Sequence, residues 1–306
     1  LILATCFWGR YDPRLFDEMI AWLRKNERFV NIHRLRYICR KYEYAAFCLL
    51  GPVSCYLFAS SQTPKWKSIQ KECMRLAFLS EPQNLFLFPD NKFMPVHGET
   101  DRIFAEYKFL RSPFKDRELA GTFPLGPVAS LQLQLRAFFG VNSRAETILY
   151  LLLHEVATIR QIATYSCYSW HSIQETLFEL AHSGIVSHPE AKRGRKYRLN
   201  RMQWSQLFPA ITGKMAERNM VVLFRALELI WLRLTDDKVA RLSPDGLDIE
   251  IKELFRRQIN PLFAESESSM PHINLDQQSG NNFLEAALKA LSDFFENIVC
   301  GETGVS

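Results

Sequence analysis

The stretch from Ser143 to Trp204 constrains this chain more than any other. Apolar residues recur at helical spacing in ILYLLL, break at Val156-Ala157-Thr158, and resume in IRQIATY. They break again at Tyr165-Ser166-Cys167-Tyr168 and resume in a longer run that ends near His182. Two short alternating segments follow, Ile185–His188 and Tyr197–Leu199, around the basic loop Lys192-Arg193-Gly194-Arg195-Lys196. Periods of 3.6 followed by periods of 2 predict a helix, a short helix, a tight turn, a second helix and a hairpin.

The punctuation agrees with the periodicity. Ser143, with Glu146 three residues on, has the spacing of a capping box, in which each side chain satisfies the other's backbone amide. Thr158 and Ser169 stand where the next two helices need caps, and Ser183-Gly184 closes the last. Ile148, Leu149, Leu152 and Leu153 form the apolar stripe of the first helix, and Ile159, Ile162 and Ala163 that of the second. Ile173, Leu177 and Leu180 form the buried face of the third, which leaves Trp170, His171, Ser172, Gln174, Glu175 and Glu179 on or near its other face.

The words TIRQIATYSCYSWHSIQETLFELAHSGIV and KRGRKYRL resemble the winged helix-turn-helix domains of bacterial transcriptional regulators of the MarR and ArsR type. The resemblance covers residues 143–204 only and departs from the pattern at the turn, where Ser166-Cys167 stands in place of the usual glycine. It implies that the third helix enters the major groove with its early residues at base edges. Those residues are Trp170, His171, Ser172, Gln174 and Glu175; a glutamine suits adenine, and a glutamate accepts from cytosine. The wing would set Lys192, Arg193, Arg195, Lys196 and Arg198 beside the phosphates or in the minor groove, with Gly194 giving its tip freedom in φ. Thr158, Arg160 and Ser169 complete the DNA-facing set, and Arg201 extends the same basic surface.

The flanks are read from composition and breaks. A chain of 306 residues is long enough for two or three domains, and 47% hydrophobic with 23% charged residues is globular rather than disordered composition. The net charge of +5 is too mild to argue for nucleic acid by itself, so the location of the cations decides. Residues 1–111 read as a mainly helical domain. Asp12-Pro13 starts a helix carrying Leu15, Phe16, Met19, Ile20, Trp22 and Leu23; Asn31–Arg40 makes another, its cations on a solvated face; Leu85–His97 makes a hairpin about Pro89–Lys92. Ser112–Pro127, rich in Pro and Gly, marks a boundary. The second domain runs 128–208 with a leading helix at 130–139 that Gly140 ends. The third runs 213–300, with helices at 214–235, at 247–263 stopped near Pro261, and at 282–299, separated by a polar loop at 265–281.

Other chemistry is not indicated. Neither a phosphate-binding glycine loop nor a nucleophile elbow is present. The cysteines, Cys6, Cys39, Cys48, Cys55, Cys73, Cys167 and Cys300, form no C-x-x-C pair and read as buried thiols in a reducing compartment. His154-Glu155 and the pair His182 and His188 lack further ligands at metal spacing. Tyr44–Ala59 is apolar but too short to span a bilayer and is interrupted by Gly51-Pro52. The N-terminal LILATCFWGRYDPR lacks the basic region and cleavage site of a secretory signal.

The expectation is therefore a mainly α protein with a small β component, a central winged helix-turn-helix domain flanked by helical domains. Its expected function is sequence-specific binding of double-stranded DNA as a cytoplasmic transcriptional regulator, without catalysis, cofactor, metal or membrane. A homodimer through the apolar C-terminal helices and a small-molecule or protein effector are compatible with it. The alternative is a winged-helix protein–protein interaction or scaffold module that does not bind DNA.

Overall fold

The computed structural model describes residues 1–78, 80–121, 123, 130–188, 195–208, 219–266 and 283–300. They gather into two compact units, 1–217 and 218–306, each mainly helical.

The first unit opens with α1 (Ile2–Trp8) and α2 (Pro13–Asn26). The Asp12 carboxylate accepts from the amides of Arg14 at 2.9 Å and Leu15 at 3.3 Å, and Pro13 takes the first helical position, where no hydrogen bond is lost. Phe16, Met19, Ile20 and Leu23 are buried as their spacing predicts, whereas Leu15 is exposed. Helix α3 (Ile32–Tyr42) buries Ile32, Leu35 and Ile38. Its cations form the expected solvated face only in part: His33 and Arg40 are exposed, but Arg34 and Arg36 are drawn inward. Arg36 and Arg40 each lie 2.9 Å from the carboxylate of Glu72 on α5 (Lys67–Ala77), and the Arg34 side chain is only 15% exposed. The reason is that α3 has packed neighbours on more than one side.

The apolar segment after Tyr44 is core. A 3₁₀ turn at Ala45–Leu49 leads into α4 (Leu50–Ser61). Gly51-Pro52 does not interrupt this helix, because Pro52 sits in its first turn, where a missing amide hydrogen costs nothing. Gly51 is needed for a close approach: a Cβ there would fall 2.4 Å from Tyr107 Cε1 and 2.6 Å from Cys73 Cβ.

Residues 83–111 supply the small β component. Leu87 bridges Phe93 antiparallel across a turn in which Asn91 takes φ 62°, so the predicted hairpin is present in short form. Strand β1 (Gln83–Asn84) pairs in parallel with β2 (Phe109–Leu110), Gln83 opposite Phe109, and α6 (Arg102–Glu106) precedes β2. Arg111, 2% exposed, lies 2.6 Å from Asp17 and over the rings of Phe16, Phe86 and Phe104 at 5.9, 5.2 and 5.1 Å. A buried cation is held there by one carboxylate and by ring faces. The irregular segment after it is tied to α2, with Arg24 2.9 Å from Asp116 and the Asn26 amide donating to the Gly121 carbonyl at 3.1 Å.

Helix α7 (Leu131–Phe139) ends at Gly140, φ 86°, and leads to α8 (Ser143–Leu153). The cap of α8 differs from the expected one. Asn142, not Ser143, accepts from the amides of Arg144 at 2.9 Å and Ala145 at 3.4 Å. Ser143 instead bonds Thr176 at 2.7 Å, and Glu146 is drawn inward by buried arginines. Helix α8 is buried on all sides from Ala145 to Leu152 rather than along one stripe, because α7, α9 and α10 surround it.

Next come α9 (Ile159–Ser166), α10 (Trp170–His182), β3 (Val186–Ser187), β4 (Arg198–Leu199) and α11 (Arg201–Leu207). Val186 pairs with Leu199 and Ser187 with Arg198, antiparallel, and Ala157 bridges Tyr197, so the segment before α9 joins the hairpin. Ile162, Ile173, Leu177, Leu180, Val186 and Trp204 close one core with α7 and α8. Helix α11 closes the module: Trp204 and Phe208 are buried, and Leu207 is exposed.

The second unit begins with α12 (Met220–Leu234), capped by Asn219; the expected start near Lys214 lies outside the described residues. Val222, Leu223, Ala226 and Ile230 are buried, and Leu227, Trp231 and Leu234 are half-buried. Glu228 is fully buried with Arg225 at 3.1 Å. Helix α13 (Pro244–Leu254) does not stop at Pro261. It passes through a π turn at Phe255–Ile259 into α14 (Asn260–Ser266). A wider turn before Pro261 removes the clash between its ring and the preceding carbonyls, which a regular helix would suffer. Helix α15 (Phe283–Cys300) is started by Asp248 of α13, which accepts from the Leu284 amide at 2.7 Å. Most of the expected polar loop at 265–281 lies outside the described residues.

Candidate nucleic-acid interface

The candidate surface is built on α9, α10 and the β3–β4 hairpin. Thr158 starts α9 with a full capping box: its hydroxyl accepts from the Gln161 amide at 3.3 Å, and Gln161 Oε1 accepts from the Thr158 amide at 2.9 Å. The Thr158 side chain is thus committed to the helix, while Arg160, two residues on, is exposed. Ser169 caps α10 by accepting from the Ser172 amide at 3.1 Å, and the two hydroxyls lie 2.9 Å apart.

With Ile173, Thr176, Leu177 and Leu180 buried, helical geometry turns Trp170, His171, Gln174 and Glu175 outward. Trp170 is 52% exposed. His171 Nδ1 lies 3.4 Å from Glu175 Oε1, one turn away. Ser172 is half-buried and serves the cap more than the surface. Strand β3 packs on α10 and β4 on α8, so the returning arm of the hairpin stands beside the same module. On that arm Arg195, Lys196 and Arg198 are exposed, alternating with buried Tyr197 and Leu199. Lys192, Arg193 and Gly194 lie outside the described residues.

One exposed side chain of α10 was absent from the expected site. Phe178 is 69% exposed in the middle of α10. It lies one position beyond Leu177, about 100° around the helix from the buried face, so the helical period alone could have exposed it. Glu179, next to it, pairs with Arg144 of α8. The outer face of α10 therefore combines aromatic rings with carboxylates and has no cation of its own.

The turn between α9 and α10 is the third part. Cys167 takes the left-handed conformation, φ 56°, where glycine is usual. Ser166 and Cys167 are buried, and burial pushes the Cys167 thiol above its ordinary range. Burial and the neighbouring Glu146 charge also raise the Tyr168 hydroxyl. Beneath the turn, Glu146 is 1% exposed and bound by Arg136 at 2.6 Å, with Arg34 at 3.8 Å and Gln132 donating at 2.8 Å. Burial alone would raise its pKa, but the two guanidinium groups prevail and hold it below the ordinary carboxylate value.

Among the described residues, no group of three or more His, Cys, Asp or Glu is placed to hold a metal ion, and no helix is long and apolar enough to cross a membrane. No family model, curated protein or solved structure matches the chain.

Proposed function

We propose that this chain binds double-stranded DNA sequence-specifically, as a transcriptional regulator working in the cytoplasm, through a winged helix-turn-helix formed by residues 143–208. One observation carries the reading. The first turns of α10 present Trp170, His171 and Gln174 to solvent in the same module as a hairpin arm whose exposed positions are Arg195, Lys196 and Arg198. Base edges would be met by the former and phosphates by the latter, with Arg160 adding a cation at the start of α9.

If about four cations meet phosphate, the salt slope is about −3.6, and affinity falls about 150-fold between 50 and 200 mM salt. Fluorescence anisotropy with a labelled mixed-sequence duplex tests this. A folded protein that shows no binding at the lower salt would end the proposal.

A second reading is favoured by the exposed Phe178 and Trp170 beside Glu175 and Glu179. That face suits a protein segment with apolar anchors and basic flanks. It predicts partner binding that survives neutralisation of the hairpin cations and is lost in Phe178→Ser.

A further inference from the structure

Each residue of the turn between α9 and α10 is held by a side chain from or capping α3. The Arg34 Nε–H donates to the Ser166 carbonyl at 2.6 Å. Tyr42 hydrogen-bonds the Cys167 thiol. Asn31 Nδ2 donates to the Tyr168 hydroxyl at 2.8 Å and to the Val141 carbonyl, just before α8, at 3.2 Å. The same Asn31 caps α3, its Oδ1 accepting from the Arg34 amide at 2.9 Å. A turn between short helices ordinarily lies at the surface, where water serves its polar groups. Here Ser166 and Cys167 are buried and Tyr168 is half-buried, and a helix more than a hundred residues earlier in the chain takes the place of that water.

We infer that α3 sets the pose of α10, with Asn31, Arg34 and Tyr42 acting as positioning residues for the binding face. Carbonyl, thiol and phenol on three successive residues define where the turn lies, and the turn defines where Ser169 can start α10. Since α3 belongs to the N-terminal helical region, whatever shifts that region relative to α8 loosens or redirects α10. This places control of the binding face outside the module that carries it. The consequence for DNA rests on the function proposed above; the clamp itself does not.

Hydrogen exchange on the full chain separates the two. Asn31→Ser retains a good helix cap but is too short to reach Tyr168 or Val141. Tyr168→Phe removes only the hydroxyl, Arg34→Met removes the donor to Ser166, and Arg34→Lys restores one. Asn31→Ser should raise exchange of the Ser172 and Ile173 amides about tenfold with α7 unchanged. Arg34→Met should raise the same amides and, by withdrawing a counter-charge from Glu146, α7 and α8 as well, while Arg34→Lys, which keeps the charge, stays near wild type. Tyr168→Phe should give a smaller rise at the same amides. Wild-type exchange at these amides in every variant overturns the inference. So does a uniform rise across the first unit, which is the mark of a merely structural role. If the wild type binds DNA, the same variants should weaken it about tenfold without changing its salt slope. If it does not, the exchange result still decides the clamp.

Discussion

Replacing Glu146 by Gln tests the energetics of the junction between the N-terminal helices and the module that follows. The carboxylate is 1% exposed, and its partners Arg34 and Arg136 have side chains 15% and 11% exposed. Gln keeps the shape, and its amide oxygen can still accept from Arg136, but its NH2 takes the place of the oxygen that accepts from Gln132, so the substitution removes the charge and one acceptor. Two nearly buried guanidinium groups are then left without a counter-charge. Removing one partner of a buried pair costs about 3–5 kcal/mol, and the retained shape and the one hydrogen bond kept with Arg136 favour the lower end, about 3 kcal/mol. In a unit of this size that corresponds to a melting temperature lower by about 6–12 °C. Urea and thermal unfolding at pH 7 read it directly.

The pH dependence supplies a sign. The folded pKa of Glu146 lies below its ordinary value of 4.5. Its charge therefore stabilises the fold fully above that value, and the contribution disappears as pH falls through the depressed folded pKa. The gap between wild type and Glu146→Gln should be constant at neutral pH and narrow below pH 4.5. A loss under about 1 kcal/mol, the range of exposed ion pairs, or a gap independent of pH in acid, would refute the reasoning.

Other consequences are as specific. Gly51→Ala must displace both Tyr107 and Cys73 and should cost about 1–3 kcal/mol in urea unfolding; a neutral result would show that the packing around α4 has slack. Burial raises the thiol pKa of Cys6, Cys48, Cys55, Cys73 and Cys167, so a thiol reagent at pH 7 should find Cys48 and Cys55, the half-buried pair, first and the others only on unfolding. Reaction of all of them at the rate of free cysteine would contradict the packing. Asp248→Ala should cost the second unit about 0.5–2 kcal/mol and speed exchange at the start of α15; unchanged exchange of the Leu284 amide would deny the cap.

Local signals were legible where one residue decides the outcome. Asp12-Pro13, Thr158, Ser169 and Gly140 all mark helix ends as their chemistry predicts. The spacing of Ile173, Leu177 and Leu180 identified the buried face of α10. What stayed hidden depends on partners distant in sequence. Glu146 looks like a capping residue until Arg34 and Arg136 are brought to it, and Asn142 then does the capping. Arg34 reads as a surface charge because periodicity on one helix is silent about what packs against its edges. Pro261 reads as a stop because the π turn that accommodates it has no composition of its own. Within the candidate site, the exposure of Trp170, His171 and Gln174 followed from spacing and that of Arg195, Lys196 and Arg198 from the basic loop, whereas the hold of α3 on the turn did not.

The most direct test of the DNA-binding proposal is the salt dependence of duplex binding for the wild type beside Arg195→Ala/Arg198→Ala. Both residues are exposed on the returning arm of the hairpin, so unfolding should be unchanged. Each phosphate contact contributes about −0.9 to the slope, so the double variant should bind more weakly at every salt concentration, with the slope reduced in magnitude by about 1.8. A wild-type slope in the double variant, or a folded wild type that binds no duplex at low salt, would contradict the proposal and leave the aromatic and acidic face of α10 as the surface to pursue.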